Sequence, residues 1–226
     1  MNCFEPNGFF IQDMNWMVEV LLFVIIFVIL WVCVCVRSIR YFWKFPMPAR
    51  MGNVIAAGAY RNRIQPPKMI VDAINARPGM IVVEIGCGSG LFIVEVAKAI
   101  QPDGHVFAVD IQQGMLDKLQ KRMEHEIVTN IKPILADAGG RIPLEDGIAD
   151  AVFSVAVLPE IPNPTAVLFE IKRLMKDNAV YADAELILDP DFPLRRTMMN
   201  WAKQAGLTRT QQIGNCLRYA LVFRKE

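Results

Sequence analysis

The chain has 226 residues, a formal net charge of +1 and a 54% share of hydrophobic residues. That length holds one or two domains. Cys3, Cys33, Cys35, Cys87 and Cys216 form no C-x-x-C pair, and His105 and His125 stand isolated, so no metal site is expected.

Residues 1–16 read as a short N-terminal segment. Residues 17–36, MVEVLLFVIIFVILWVCVCV, carry one charge, Glu19. At about 1.5 Å per residue this run spans roughly 30 Å, one hydrocarbon core. It is apolar on every face, which argues against a buried core helix. A cleaved signal peptide starts with bases and runs about 7–15 apolar residues. Here Glu5 and Asp13 precede a longer run, so a permanent transmembrane helix is expected. Residues 1–36 hold three acids and no Lys or Arg, whereas residues 37–68 hold seven bases and no acid. Positive flanks stay in the cytoplasm, so a single-pass chain with its N-terminus outside is expected. Trp16, Tyr41 and Trp43 suit interfacial aromatic belts. The same bases suit contact with anionic lipid, at about 1 kcal/mol per nearby charge.

Residues 37–60 read as a basic interfacial linker, because Pro46 and Pro48 interrupt helix there. Residues 61–226 read as one cytoplasmic domain with free thiols. A short helix is expected between Pro66-Pro67 and Pro78-Gly79. Strand-like apolar runs follow at 80–85, 106–111, 131–136, 151–158, 179–188, around 207–213 and at 217–224. Helical patterns lie between them at 91–101, 113–127, 164–176 and 194–205. Such alternation predicts an α/β fold with a mostly parallel sheet and helices on both faces. Gly214-Asn215 between the last two strands predicts a hairpin, hence an antiparallel last strand.

The first strand of this domain runs into a turn, VVEIGCGSGLF, with Gly86, Gly88 and Gly90 at alternate positions. Glycines there permit positive φ and close approach of a ligand to bare backbone. A dinucleotide fingerprint requires G-x-G-x-x-G, but Leu91 stands where its last glycine belongs, which disfavours a dehydrogenase. Glu84 lies two residues before the turn. Asp110 ends the second strand, 20 residues past Gly90, where a carboxylate accepts from both hydroxyls of a ribose. Asp137 ends the third, where it accepts from an adenine amine. Three acids at consecutive strand ends suit a cationic nucleoside without phosphate and repel a pyrophosphate.

These stretches, with VFAVDIQQGML and ILADAGGRIPLEDGIADAVFSVAVLPEIPNP, resemble the class I S-adenosylmethionine-dependent methyltransferases, over roughly residues 60–226. The branch they are most similar to is that of the ubiquinone and menaquinone methyltransferases. The resemblance implies a Rossmann-like seven-stranded sheet with a reversed last strand and S-adenosylmethionine as cofactor. It implies that Glu84 and the turn Gly86, Cys87, Gly88 and Gly90 hold the methionine end. Asp110 would hold the ribose with Ile111 against the adenine, Asp137 with Ala138 would read the adenine edge, and Val155 to Leu158 would line the methyl-transfer face. Three departures stand out. Cys87 is read as a small filler, Pro159 stands where relatives often carry His, and Asn178-Ala179 replaces a common Gly-Gly, with Asn178 able to adopt a left-handed conformation.

Methyl transfer from a sulfonium needs position and a dry site more than a nucleophile, and no catalytic residue is singled out. Tyr60, Arg61 and Arg63 are candidate pocket residues, and Glu160 either orients a substrate or caps its loop. The anchor favours a lipid-borne acceptor, a headgroup or a prenylated quinone, with the lipid bilayer as partner. Methylation of a membrane protein or soluble small molecule, and an inactive accessory role in a membrane complex, remain open. Nucleic acid is not an expected partner, since no Asn/Asp-Pro-Pro-aromatic motif follows the fourth strand.

Overall fold

The computed structural model describes residues 8–42, 44, 48 and 63–225, and the chain divides into two compact units, Met1–Trp43 and Lys44–Glu226. The first holds one helix, α1 (Gly8–Phe42). Its stretch Val18–Arg40, in which an 18-residue window reaches a mean hydropathy of 3.1, is long and apolar enough to cross a membrane. No proline or glycine interrupts residues 9–45, so the helix continues past the apolar run and includes residues 37–42 of the expected linker.

The second unit runs α2 (Lys68–Ala73), β1 (Ile81–Ile85), α3 (Ile93–Ala99), β2 (His105–Asp110), α4 (Gln113–Glu126), β3 (Ile131–Leu135), β4 (Ala149–Val155), α5 (Pro164–Leu174), β5 (Met175–Leu186), α6 (Arg195–Gln204), β6 (Leu207–Gly214) and β7 (Arg218–Lys225). The seven strands form one sheet in the order β3-β2-β1-β4-β5-β7-β6. Strands β1 to β5 pair in parallel, and β7 runs antiparallel to both β5 and β6. The sheet is therefore mostly parallel with a reversed last strand, as the alternation of apolar runs predicts.

Side chains alternate across the sheet with period 2. Val82, Ala151 and Ala182 face a core that α2, α3 and α4 cover, whereas Val83, Val152 and Tyr181 face one covered by α5 and α6. Burial on both faces explains why β1 and β4 read as nearly continuous apolar runs. Each fully buried Val, Ile, Leu or Phe contributes about 1.5–3 kcal/mol, and Ile85, Phe153 and Leu119 are among those with no exposed surface.

Several local expectations need correction. Helix α3 starts at Ile93 rather than 91, because Leu91 and Phe92 complete the turn that follows Gly90. Helix α5 stops at Leu174 and β5 begins at once at Met175. Asn178 lies in extended strand, not in a left-handed connection. The extra length is absorbed by a register shift between the pairs Ala149–Met175 and Ala151–Val180. The final hairpin is closed by Asn215, Cys216 and Leu217 rather than by two residues. The Asn215 side-chain oxygen accepts from the backbone N–H of Leu217 (3.0 Å) and Arg218 (3.1 Å), which fixes the turn.

Candidate active site

In the sheet, β1 and β4 are neighbours, while β2 and β5 continue outward on opposite sides, so chain order reverses between β1 and β4. Parallel sheets bind ligands beyond the carboxyl ends of the strands at such a point. A cavity of about 430 Å³ lies there, within the usual size for small-molecule sites. Glu84, Gly86, Cys87, Gly88, Asp110, Ile111, Asp137, Ala138 and Val155 all line it. Gly90 does not. It has φ +83°, and a Cβ there would meet the Leu119 side chain at 2.5 Å, so its bareness serves packing of the turn onto α4.

The glycine turn is fixed from below. Gly86 and Cys87 donate their N–H groups to Val109 O at 2.8 and 3.0 Å. Gly88 donates to Asp110 Oδ2 at 2.9 Å, and Gln112 donates to Asp110 Oδ1 at 2.9 Å. Asp110 thus ties the turn to the end of β2, and each of its oxygens keeps further lone-pair capacity. Gly86 has φ +68°, and a Cβ there would strike Val157 at 2.5 Å, whereas a Cβ on Gly88 would meet nothing within 4 Å. The open space beside Gly88 is a cradle where a ligand can approach main chain.

Among the described residues, the cavity lining is rich in carboxyl groups. Glu84 is buried, and its Oε2 has no hydrogen-bond partner among the described residues. Burial, and next the charge of Asp110, hold its carboxyl well above the ordinary range. Asp110 is also raised by burial, against the N–H groups of Gln112, Gly88 and Ile111. Burial, then Glu84 and Asp110, push the Cys87 thiol up, so it remains a protonated filler rather than a nucleophile. Asp137 is exposed, two residues past the end of β3, and its Oδ1 accepts from Gly139 N at 2.8 Å in a side-chain-closed turn. Ile111 presents a half-exposed apolar side chain to the cavity. Arg63 is exposed and away from the lining, while Tyr60 and Arg61 lie outside the described residues.

The remaining walls come from the stretch after β4 named in the sequence and from Lys44, Glu185, Asp189, Pro190 and Asp191, which sequence reasoning passed over. Ala156, just after β4, adopts φ +55°, an uncommon conformation for a residue with a Cβ, and lines the cavity. Pro159 and Glu160 contribute from a single 3-10 turn, Leu158–Glu160. Glu185, fully buried at the end of β5, and Asp189, Pro190 and Asp191 from the following loop close the far side with Lys44. Among the described residues the ionisable lining is Glu84, Asp110, Asp137, Glu160, Glu185, Asp189, Asp191, Lys44 and the thiol of Cys87. Such a site favours a cation and opposes a pyrophosphate. The signal for Glu185 was present in YADAELIL: an acid inside a buried strand, as in VVEIG.

Residues 76–220 match the methyltransferase domain family. The chain belongs to this family. A demethylmenaquinone methyltransferase of Lactiplantibacillus plantarum is 29% identical over 153 residues, covering 67% of this chain and 62% of the relative. An uncharacterised 37.1 kDa protein of a Streptomyces fradiae transposon is 32% identical over 129 residues, covering 56% of this chain and 34% of the relative. The chain therefore spans about a third to three-fifths of these two curated relatives. The crystal structure of a S-adenosylmethionine-dependent methyltransferase from Aquifex aeolicus superimposes with a TM-score of 0.73 at 18% identity, covering 79% of this chain and 98% of that one. The fold is accordingly that of the class I S-adenosylmethionine-dependent methyltransferases, whose cofactor is S-adenosylmethionine.

Proposed function

We propose that the chain is a membrane-anchored methyltransferase that moves a methyl group from S-adenosylmethionine to a lipid-borne acceptor, a headgroup or prenylated quinone. The observation that carries the cofactor half is the buried Oε2 of Glu84, without a hydrogen-bond partner among the described residues, beside the open main chain of Gly88. An ammonium group satisfies that oxygen, and the cradle leaves room for the amino-acid end that bears it. Asp110 and Asp137 offer acceptors to ribose and adenine, Ile111 an apolar face, and Val155 and Ala156 the wall of the transfer region. When bound, the cofactor supplies a methyl group on a positively charged sulfur. The protein's part is to orient that group, exclude water and receive the acceptor along the line of displacement.

The acceptor half is supported by the chain's first unit. A 23-residue span ending at Arg40 precedes a domain that begins at Lys44. With the acids before the span and the bases after it, the domain faces the cytoplasm. Tethering raises the local concentration of anything dissolved in the same membrane. The demethylmenaquinone methyltransferase relative is named for a lipid-soluble substrate, which favours an acceptor of that kind. The test is full-length protein incubated with methyl-labelled S-adenosylmethionine and native membranes. Label is expected in the organic extract. Label confined to protein bands or to the aqueous phase overturns the lipid acceptor, and no label in any fraction overturns transfer itself.

A further inference from the structure

Large apolar side chains are seldom exposed in the second unit, and three of them gather where β5 ends. Leu188 is 55% exposed, Leu194 71% and Leu217 51%. Their two segments are pinned together. Ile187 N donates to Leu217 O at 2.8 Å, Tyr219 Oη donates to Pro193 O at 2.8 Å, and the rings of Phe192 and Tyr219 lie 5.5 Å apart. Between Leu188 and Leu194 the chain passes through Asp189, Pro190 and Asp191, which line the cavity. The exposed leucines therefore flank a wall of the active site.

The local sequence here works against the helix that follows. Leu194 occupies the N-cap of α6 and makes no side-chain cap bond, where Ser, Thr, Asp or Asn is preferred. Arg195 and Arg196 fill the first turn, where the helix dipole favours acids. Arg196 is exposed, whereas Arg218 on the neighbouring strand has its guanidinium engaged with the Ile64 carbonyl. Residue choices that oppose local structure mark surfaces kept for another purpose. Exposed leucines beside arginines are the composition of a segment that lies in the lipid–water interface, the apolar tips in the acyl boundary and the guanidinium groups among anionic headgroups.

We propose that Leu188, Leu194 and Leu217, with Arg195 and Arg196, form the surface by which the domain seats on an anionic lipid leaflet, setting the cavity wall Asp189–Asp191 against the membrane. This rests on the membrane-anchored reading above and goes beyond it. The anchor only confines the domain, whereas this surface orients it so that a lipid-borne acceptor enters without crossing water.

The test uses the full chain in vesicles of phosphatidylcholine with or without phosphatidylglycerol. The native cysteines other than buried Cys87 are replaced by alanine, and one environment-sensitive fluorophore is attached at Leu188→Cys, Leu194→Cys or Leu217→Cys. The control is Ile127→Cys, an 84% exposed apolar position after α4, just before the amino end of β3 and so at the opposite edge of the sheet. The three rim labels are expected to shift to the blue and be quenched by nitroxide-bearing lipids, more so with phosphatidylglycerol, while the label at 127 stays aqueous. Rim labels as aqueous as the control overturn the proposal. So does a blue shift that lipid nitroxides leave unquenched, which marks contact with a second copy or another protein. S-adenosylmethionine affinity on the same samples separates the two readings: intact binding with aqueous rim labels removes this surface and leaves the methyltransferase reading standing.

Discussion

Glu84→Gln is expected to stabilise the ligand-free chain while weakening its hold on S-adenosylmethionine. The carboxyl is 2% exposed, lacks a hydrogen-bond partner at Oε2 among the described residues and faces the neighbouring charge of Asp110, so its ionised form is disfavoured in the folded state. The sign follows from linkage. Its folded pKa lies above the unfolded value, so stability is fully present below the unfolded value and is lost as pH rises through the folded one. A neutral amide of the same shape removes that penalty, worth on the order of 1–3 kcal/mol near neutral pH. The same change deletes a charged acceptor for the ligand's ammonium, about 1.5–3 kcal/mol, or roughly 10- to 150-fold in affinity. Melting curves without ligand and calorimetric titration with it give the two numbers. A variant of unchanged affinity means that no cation reaches Glu84. Opposed effects of this kind are expected where a site keeps an unstable group for binding.

Asp183→Asn is expected to flatten the pH dependence of folding. Ser154 Oγ donates to Asp183 Oδ1 at 2.7 Å and Tyr181 Oη donates to the same oxygen at 3.2 Å, all three residues being fully buried between β4, β5 and the α5–α6 layer. Asp183 Oδ2 has no hydrogen-bond partner among the described residues. Burial pushes this carboxyl from its ordinary 3.8 up to about 7, against the two hydroxyl donors. The folded chain then holds the proton more tightly than the unfolded chain. Wild-type stability relative to the amide variant is greatest below about pH 4 and declines as pH rises through 7. At about 1.4 kcal/mol per pK unit the whole decline is on the order of a few kcal/mol. The amide keeps an oxygen for both hydroxyls, so the difference between the two urea-denaturation series isolates the charge. A difference that stays flat from pH 4 to 8 contradicts the account.

The parts of the fold legible in the sequence were those with a local physical cause. Buried parallel strands need apolar runs on both faces, so β1, β2, β4 and β5 announced themselves. Glycine at 86 and 88 is demanded by positive φ beside the cavity, and Asp110 closes β2 at its rim, so the placement of these residues could be read directly. What stayed hidden depends on tertiary placement. Asp183 and Glu185 sit in a strand whose apolar character outweighs two acids, and only the sheet order carries Glu185 to the cavity. Ala156 carries no mark of its left-handed backbone. Gly90 resembles its neighbours in the turn, but Leu119 of α4, remote in sequence, decides what it does. Asn178 invited a turn reading that the register shift in β5 overrode. The loop 187–194 has no periodicity, and its role depends on what lies beside it.

The central claim is that carboxylates and open main chain at the strand ends hold a cationic nucleoside without phosphate. Calorimetric titration of the full-length chain with S-adenosylmethionine, and separately with NAD, tests it most directly. S-adenosylmethionine is expected to bind at one site per chain and NAD to give no saturable signal. Saturable binding of NAD, or of NAD more tightly than S-adenosylmethionine, contradicts it.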